Sequence, residues 1–287
     1  ILSWAPCSAN PRAPVPASNG TLLRLVDAQA RVRTRVQQRA AERAAALVRS
    51  WRGFTDPDDV AALVEALTRL VEPAQLRTAT LTAAYLARVI SGLTGRAVAP
   101  VPVRIDPTRL RQGTDHAEVF GRVAAEYRRQ LAGGATDTAA RDSAAKRVRV
   151  IVSDDLALAG REANRQVLTG TRGITGYRRV VRPELSAGGT CGLCIVASDR
   201  KYRTGELMPI HAHCKCEPLP IIGAADPGQN LNSDELAELY RRAGGNTAAK
   251  LKNTRYVVRE HGELGPVLRE AEQNFRGPAQ VAALTAA

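Results

Sequence analysis

The sequence predicts a mainly α-helical protein, in which a long helical region precedes a small α+β module with a short antiparallel sheet and a Cys/His zinc knuckle. Apolar residues recur every three or four positions up to about residue 170, which is the period of one helix face. That period is lost after Gly170, where alternating and proline-bearing extended segments begin. Beyond this change, four of the five cysteines fall within a window of 26 residues.

The helical period predicts about five helices. The first carries an apolar stripe of Leu25, Ala28, Val32, Val36, Ala40, Ala44, Leu47 and Trp51. A cap residue followed by proline, Asp56-Pro57, predicts the start of the second helix. Pro73 is expected to end it, so that a third helix runs from Leu76 and stops at Gly92.

Two further helices complete this region. Apolar positions from Ala117 to Leu131 predict a fourth helix, with Asp115 as its cap and Gly133-Gly134 at its end. The fifth has the stripe Ala145, Val148, Val152, Leu156, Ala159, Ala163 and Val167, and is expected to end at Gly170. These stripes favour a core in which the helices face one another.

Four segments follow from this division. We expect a flexible N-terminal arm over residues 1–20, a helical domain over 21–170, a Cys/His module over 171–225, and a helix, a strand and a loose tail over 226–287. In the module, 177–182 and 217–222 are predicted strands; beyond it, Asn232 with Glu235 predicts a capped helix and 255–259 a strand. The sequence leaves open whether the helices form their own domain or wrap the module.

Thiols and imidazoles gather in two short motifs. The six candidate metal ligands are Cys191, Cys194, His211, His213, Cys214 and Cys216. Thiolate and imidazole in two closely spaced groups are the ligands that tetrahedral Zn²⁺ prefers, so a structural zinc ion is predicted. Unliganded thiols or disulfides are the alternatives; a chain of this length does not need disulfides, and Cys7 has no evident mate.

Six candidates compete for four positions around the ion. Cys191 and Cys194 are the firmest pair, because their spacing closes a tight turn around one metal. Cys214 and Cys216 precede an extended segment and would project from one strand face. Four cysteines, or three with His211, complete the site equally well, whereas His213 is expected to be a polar neighbour.

The charge of the chain points to a polyanionic partner. Lys and Arg number 41 against 28 Asp and Glu, a formal net charge of +13. The predicted DNA-contacting residues are Arg161, Arg165, Arg172, Arg178, Arg179 and Arg182. Glu162 is the one acidic residue in this stretch of sequence. Aromatic residues make up only 4% of the chain, which favours backbone contact to double-stranded DNA over base stacking.

Other functional classes are less well supported. No run of eighteen apolar residues is present, so no membrane partner is expected. The chain has four histidines and no Gly-x-Ser-x-Gly motif, so no catalytic residues are assigned. Thiolate ligands donate charge to a zinc ion, so water bound to that ion is less acidic, which favours a structural over a catalytic site. No small-molecule substrate is predicted.

The second half of the chain resembles the C-terminal module of phage Mu F-like minor head proteins. The pattern is an extended basic segment, Cys-x2-Cys, a loop, and Pro-x-His-x2-Cys-x-Cys; here it is Tyr177-Arg178-Arg179, Cys191, Cys194, Pro209, His211, Cys214 and Cys216, then Pro218 and Pro220. It covers about residues 115–222, and the preceding helices look like the leading region of versions from phages of actinobacteria. The chain departs from the family where many members carry Leu-Asp-Gly after the second cysteine and His-Pro before the last pair.

The resemblance implies a role in head assembly. It predicts a low-copy protein of the virion interior, present in the host cytoplasm during assembly, with the portal and other head proteins as partners and with contact to packaged DNA. Related gene products are also described as capsid maturation proteases, which is the alternative function.

Overall fold

The computed structural model of the chain describes residues 16–181, 197–198, 200–206, 216–233, 237, 256–261 and 265–270. Most of the predicted N-terminal arm lies outside these residues. Ala17 contacts the helical body, because its backbone N–H donates to the carbonyl of Gly92 at 2.7 Å.

Helix α1 spans Asn19–Ser50 and begins at Ser18, whose hydroxyl accepts a hydrogen bond from the Thr21 amide. The predicted helix is confirmed, but its buried face is rotated from the predicted stripe. The buried positions are Leu22, Val26, Gln29, Ala30, Ala40, Ala41, Ala44, Ala45 and Val48, and Ala28 is exposed. Small residues dominate this face, which lets neighbouring helices approach closely.

Helix α2 spans Pro57–Thr94 without interruption, so the predicted break at Pro73 is wrong. Asp56 caps the start, as predicted, by accepting hydrogen bonds from the amides of Asp58 and Asp59. The buried positions Leu63, Leu67, Val71, Gln75, Ala79, Ala83 and Leu86 continue in phase through the proline. Burial of this single stripe on both sides outweighs the backbone hydrogen bond that proline cannot donate.

The last turn of α2 also extends beyond the predicted stop. Gly92 lies inside the helix, where a Cβ atom would come within 3.2 Å of Ala17 Cβ. The helix ends at Gly95, which has φ 66°, a left-handed conformation that glycine adopts without strain.

Helix α3 is one turn, Pro107–Leu110, in the connection to α4, which spans His116–Ala132. The predicted cap of α4 is confirmed, since the Asp115 carboxylate accepts the Glu118 amide at 2.8 Å. Helix α5 spans Asp137–Gly170 and ends where predicted, and every residue of its predicted stripe is buried. Among the described residues, none of the helices combines the length and apolar character that a bilayer crossing requires.

The strands form two antiparallel sheets. In the first, β1 (Ile174–Val180) lies between β2 (Lys201–Tyr202) and β3 (Glu217–Ile222). Helix α6 (Pro227–Leu231) follows, and β4 (Tyr256–His261) pairs with β5 (Gly265–Glu270). The sequence predicted most of β1, all of β3 and most of β4, but not β2 or β5.

Two hydrophobic clusters organise the core. The first lies among α1, α2, α4 and α5 around Phe120 and Leu67. The second joins the other ends of α1, α2 and α5 to the first sheet, and includes Leu86, Val167 and Tyr177. The helices therefore pack directly on the module that the cysteines flank.

Candidate metal centre and the predicted arginine surface

One end of the three-stranded sheet carries the described part of the cysteine motif. The antiparallel register places Val180 opposite Glu217. Val181, the first residue after β1, consequently packs against Cys216, the last residue before β3, and both are buried. The segment with Cys191 and Cys194 leaves the sheet at the same end at which the segment with Cys214 enters it.

Asn232 ties a third segment to this end of the sheet. Its side-chain Nδ2 donates to the carbonyls of Arg179 at 2.7 Å and Ser198 at 3.4 Å, and its Oδ1 accepts the Val181 amide at 3.2 Å. The side chain is fully buried. The side-chain amide of Asn232 joins β1 to the 197–198 segment. The sequence predicted Asn232 as a helix cap; Ser233 after it is helical, and most of that predicted helix, with Glu235, lies outside the described residues.

Ala197, the residue before Ser198, is held by a hydrogen bond from β2. The Tyr202 hydroxyl donates to the carbonyl of Ala197 at 3.0 Å. Cys194 is three residues before Ala197, and Cys214 is two residues before Cys216.

The remaining predicted ligands, Cys191, Cys194, His211 and Cys214, lie outside the described residues, as does His213. Within the described part of the chain, no group of three His, Cys, Asp or Glu side chains is close enough to hold a metal ion. The described donor is Cys216, which is only 3% exposed, and cysteine thiolate is a preferred ligand of zinc.

The two carboxylates near the motif are engaged elsewhere. Glu217 is buried and accepts a hydrogen bond from Arg33 Nε of α1 at 2.7 Å, while Arg33 Nη2 donates to the Cys216 carbonyl at 3.3 Å. The Glu206 carboxylate accepts the Arg203 amide at 3.2 Å within its own turn. The sequence offered no signal for Arg33, because its partners are about 180 residues away.

The predicted DNA-contacting arginines do not form one exposed surface. Arg161, Arg178 and Arg179 are buried, at 6%, 5% and 0% exposure. Arg178 binds the Asp226 carboxylate through Nε and Nη2, at 3.0 and 2.7 Å, and donates Nη1 to the Ser198 carbonyl. These three side chains are therefore largely removed from solvent in this structure.

The other three arginines differ in their placement. Arg172 is exposed, and Arg182 lies outside the described residues. Arg165 binds Glu162, which also accepts a hydrogen bond from Gln166 at 2.7 Å. Burial alone would raise the pKa of Glu162, but these hydrogen bonds outweigh it and hold the pKa below its usual range.

A basic cleft of about 390 Å³ lies between the α3 region and α5. Its charged lining consists of Arg104, Asp106, Arg109, Arg161, Glu162 and Arg165. Gln166 fixes one wall, because its side chain binds both the amide and the carbonyl of Arg104, at 3.0 and 2.7 Å. The carboxylates pair with Arg109 and Arg165, so much of the charge in the cleft is internally balanced.

Comparison with known proteins gives a family for most of the chain. The family model described as VG15 protein matches residues 23–243, which includes all of α2 to α6 and the whole cysteine motif. No curated protein and no solved structure matches the chain. The match supports the assignment of the chain as a phage protein, and it is a match to a family other than the Mu F-like one that the cysteine motif resembles. On this evidence, the chain belongs to the VG15 protein family, a family of phage proteins.

Proposed function

We propose that this protein is a minor head protein of a tailed phage, which acts in head assembly near the portal, has a structural zinc site and contacts packaged DNA without sequence preference. The phage family supports the viral setting. The Mu F-like cysteine pattern and the net charge of +13 support the head and DNA roles.

The observation that carries the zinc part is the meeting of Val181, Ser198 and Cys216 at one end of the sheet. In sequence, Val181 and Ser198 lie on either side of Cys191 and Cys194, and Cys216 is the last cysteine of the second motif. Cys191, Cys194, Cys214 and Cys216 are the proposed ligands, with His211 as the replacement for one of them. Zinc bound there would cross-link the two segments and hold them on the helical body.

Metal analysis tests this site. Purified protein should contain about one zinc per chain, and the double substitution Cys191→Ser/Cys194→Ser should abolish it. Cys7→Ser is the matched control, because Cys7 lies outside the motif, and should retain the metal. Comparison of His211→Ala with His213→Ala distinguishes the two ligand sets. A stoichiometry near zero in the unsubstituted protein contradicts the proposal.

The head role is tested in the phage that encodes the chain. Purified virions should contain the protein in low copy, and the double cysteine variant should incorporate poorly while Cys7→Ser incorporates normally. Its absence from virions and procapsids would remove the proposed role. Specific cleavage of the cognate capsid or scaffold precursor by purified protein would favour the protease alternative instead.

DNA contact is tested by fluorescence anisotropy with duplexes of equal length and different sequence. The dissociation constants should agree within about threefold, and binding should weaken steeply with salt as counterions are released. Binding that ignores salt, or that selects one sequence, contradicts sequence-independent backbone contact.

A further inference from the structure

Four exposed arginines follow one another along α1 at intervals of four residues: Arg31, Arg35, Arg39 and Arg43. We call them the arginine row. At a rise of 1.5 Å per residue, successive members are about 6 Å apart along the helix axis and the row extends over about 18 Å. Residues four apart are neighbours on a helix surface, so the row is a continuous strip of positive charge.

The acidic residues of α1 near the row lie at its two ends: Asp27 is four residues before Arg31, and Glu42 lies between Arg39 and Arg43. No Asp or Glu occurs between Asp27 and Glu42. Glu42 is itself bound at 2.9 Å by both Nε and Nη2 of Arg149 on α5, and these contacts lower its pKa. Within the described part of the chain, none of the four row arginines takes part in an ion pair.

Arg33 belongs to the same stretch of sequence but has a different role. It points to the sheet and pairs with Glu217, and its side chain is only 16% exposed. The tertiary structure therefore leaves four of the five arginines between positions 31 and 43 on the surface and buries most of the fifth.

Other helices of this protein place an acidic residue three or four positions from many surface arginines. The pairs are Glu65 with Arg69, Glu118 with Arg122, Glu126 with Arg129, Asp137 with Arg141, and Glu162 with Arg165. Like charges four residues apart repel each other and weaken a helix. The uniform sign of the row is thus unfavourable in the isolated chain and becomes favourable when a polyanion covers it.

We propose that the arginine row binds the phosphate backbone of double-stranded DNA, an inference that rests on the proposed DNA contact and locates it. The step of about 6 Å is close to two phosphate rises along one strand of the duplex, about 7 Å. The planar guanidinium binds phosphate oxygens through two parallel hydrogen bonds.

The chemistry of the surrounding surface favours DNA over an acidic protein. Between Arg31 and Arg43, the other exposed residues are Gln38 and Glu42, and neither is apolar. Protein interfaces usually centre on buried aromatic or aliphatic anchors. A purely polar strip with regular charge spacing fits a ligand whose surface is a regular row of phosphates.

The test compares two charge-matched variants of the full chain. The row variant replaces Arg31, Arg35, Arg39 and Arg43 with Gln. The control variant replaces Arg77, Arg88, Arg96 and Arg172 with Gln; these residues are also exposed, lie elsewhere, and include one arginine nominated by the sequence. Circular dichroism and thermal unfolding check that both variants fold.

The row variant should bind a 30-base-pair duplex roughly 10- to 100-fold more weakly, and its plot of log affinity against log salt should be shallower by about 3 to 4 units. The control should lose less than about threefold, with an unchanged slope. Equal losses in both variants overturn the location in the row, whereas no binding by the unsubstituted protein overturns the DNA contact itself. Row-dependent binding of poly-glutamate without binding of the duplex reassigns the row to an acidic polypeptide.

Discussion

Individual arginines hold distant parts of this fold together. Among the described residues, the ion pairs in which both side chains are largely buried are Arg33–Glu217, Arg111–Asp155 and Arg178–Asp226. Each links two elements that are far apart in sequence. A paired charge tolerates burial, whereas removal of one partner leaves the other as an uncompensated charge away from water.

Arg111 provides the clearest test of this idea. Its Nε donates to Asp155 Oδ1 at 2.5 Å and its Nη2 to the Ile151 carbonyl at 3.1 Å. Arg111→Ala should lower the free energy of unfolding by about 3 to 5 kcal/mol, because Asp155 would stay buried without its cation. Chemical denaturation measures this loss. Arg109→Ala, at an exposed position two residues away, is the control; equal effects of both substitutions contradict the structural role.

The lowered pKa of Glu126 makes the stability of the protein depend on pH. Hydrogen bonds from Arg129, Gln130 and Ser143 outweigh the opposing effect of desolvation and lower its pKa from 4.5 to about 2. A carboxylate with a lowered folded pKa stabilises the protein fully above pH 4.5, and this contribution is lost as the pH falls towards 2.

The Glu126→Gln variant should therefore be less stable than the parent at neutral pH, and the difference should shrink between pH 4.5 and 2. Thermal unfolding across this range measures the difference. A constant gap between the two proteins would show that the ionised form is not what stabilises α4 against α5.

The starts of the helices are set by capping residues close in sequence, whereas the continuity of α2 depends on residues far from it in sequence. Ser18, Asp56, Asp115 and Thr136 accept hydrogen bonds from amides of the first turn, as residues of these types do at helix starts. Pro73 lacks the amide hydrogen that a helix interior requires, yet α2 continues through it. The decisive factor is the continuous buried stripe, which depends on α1 and α5.

Substitution of this proline tests that explanation. Pro73→Ala restores the missing backbone donor at an exposed position and should raise the stability of the protein by up to about 3 kcal/mol. Arg77→Ala, on the same helix and also exposed, should change stability little. Differential scanning calorimetry compares the two. A destabilised Pro73→Ala protein would mean that the proline has a packing role.

Asn232 shows how one side chain joins three elements. Its hydrogen bonds to Arg179, Val181 and Ser198 are all internal, and a substitution leaves buried backbone groups without partners. Asn232→Ala should cost about 1 to 3 kcal/mol and, with zinc bound as proposed, should release the ion at a lower chelator concentration. Asn230→Ala, two residues earlier and exposed, is the matched control. Unchanged zinc retention in Asn232→Ala would separate this clamp from the metal site.

At the scale of the whole molecule, the helical region and the sheet share a core. Helix α5 contributes Val148 and Leu156 to the first cluster and Val167 to the second. The Tyr85 hydroxyl of α2 donates to the Pro218 carbonyl of β3 at 2.8 Å. The boundary that the sequence suggests near residue 170 is thus bridged by a shared core and by this hydrogen bond.

Cooperative unfolding is the expected consequence. Leu63→Ala, a substitution in the first cluster, should cost about 2 to 5 kcal/mol and also accelerate amide hydrogen exchange in β1, more than 100 residues away. Leu76→Ala is the control, because Leu76 is 54% exposed. Unchanged protection in β1 would mean that the helices and the sheet unfold as separate domains.

The helical class, the caps Asp56 and Asp115, the stripe of α5 and the strands β1 and β3 were predictable from the sequence, because these features depend on residues within a few positions of one another. The sequence also indicated the cysteine motif, since ligand chemistry is visible in residue type and spacing. Only the tertiary structure decided that α2 continues through Pro73, that Arg178 and Arg179 are buried, and that Asn232 clamps the sheet. The physical reason is that burial and long-range hydrogen bonds depend on which distant segments pack together, and that information is absent from local sequence.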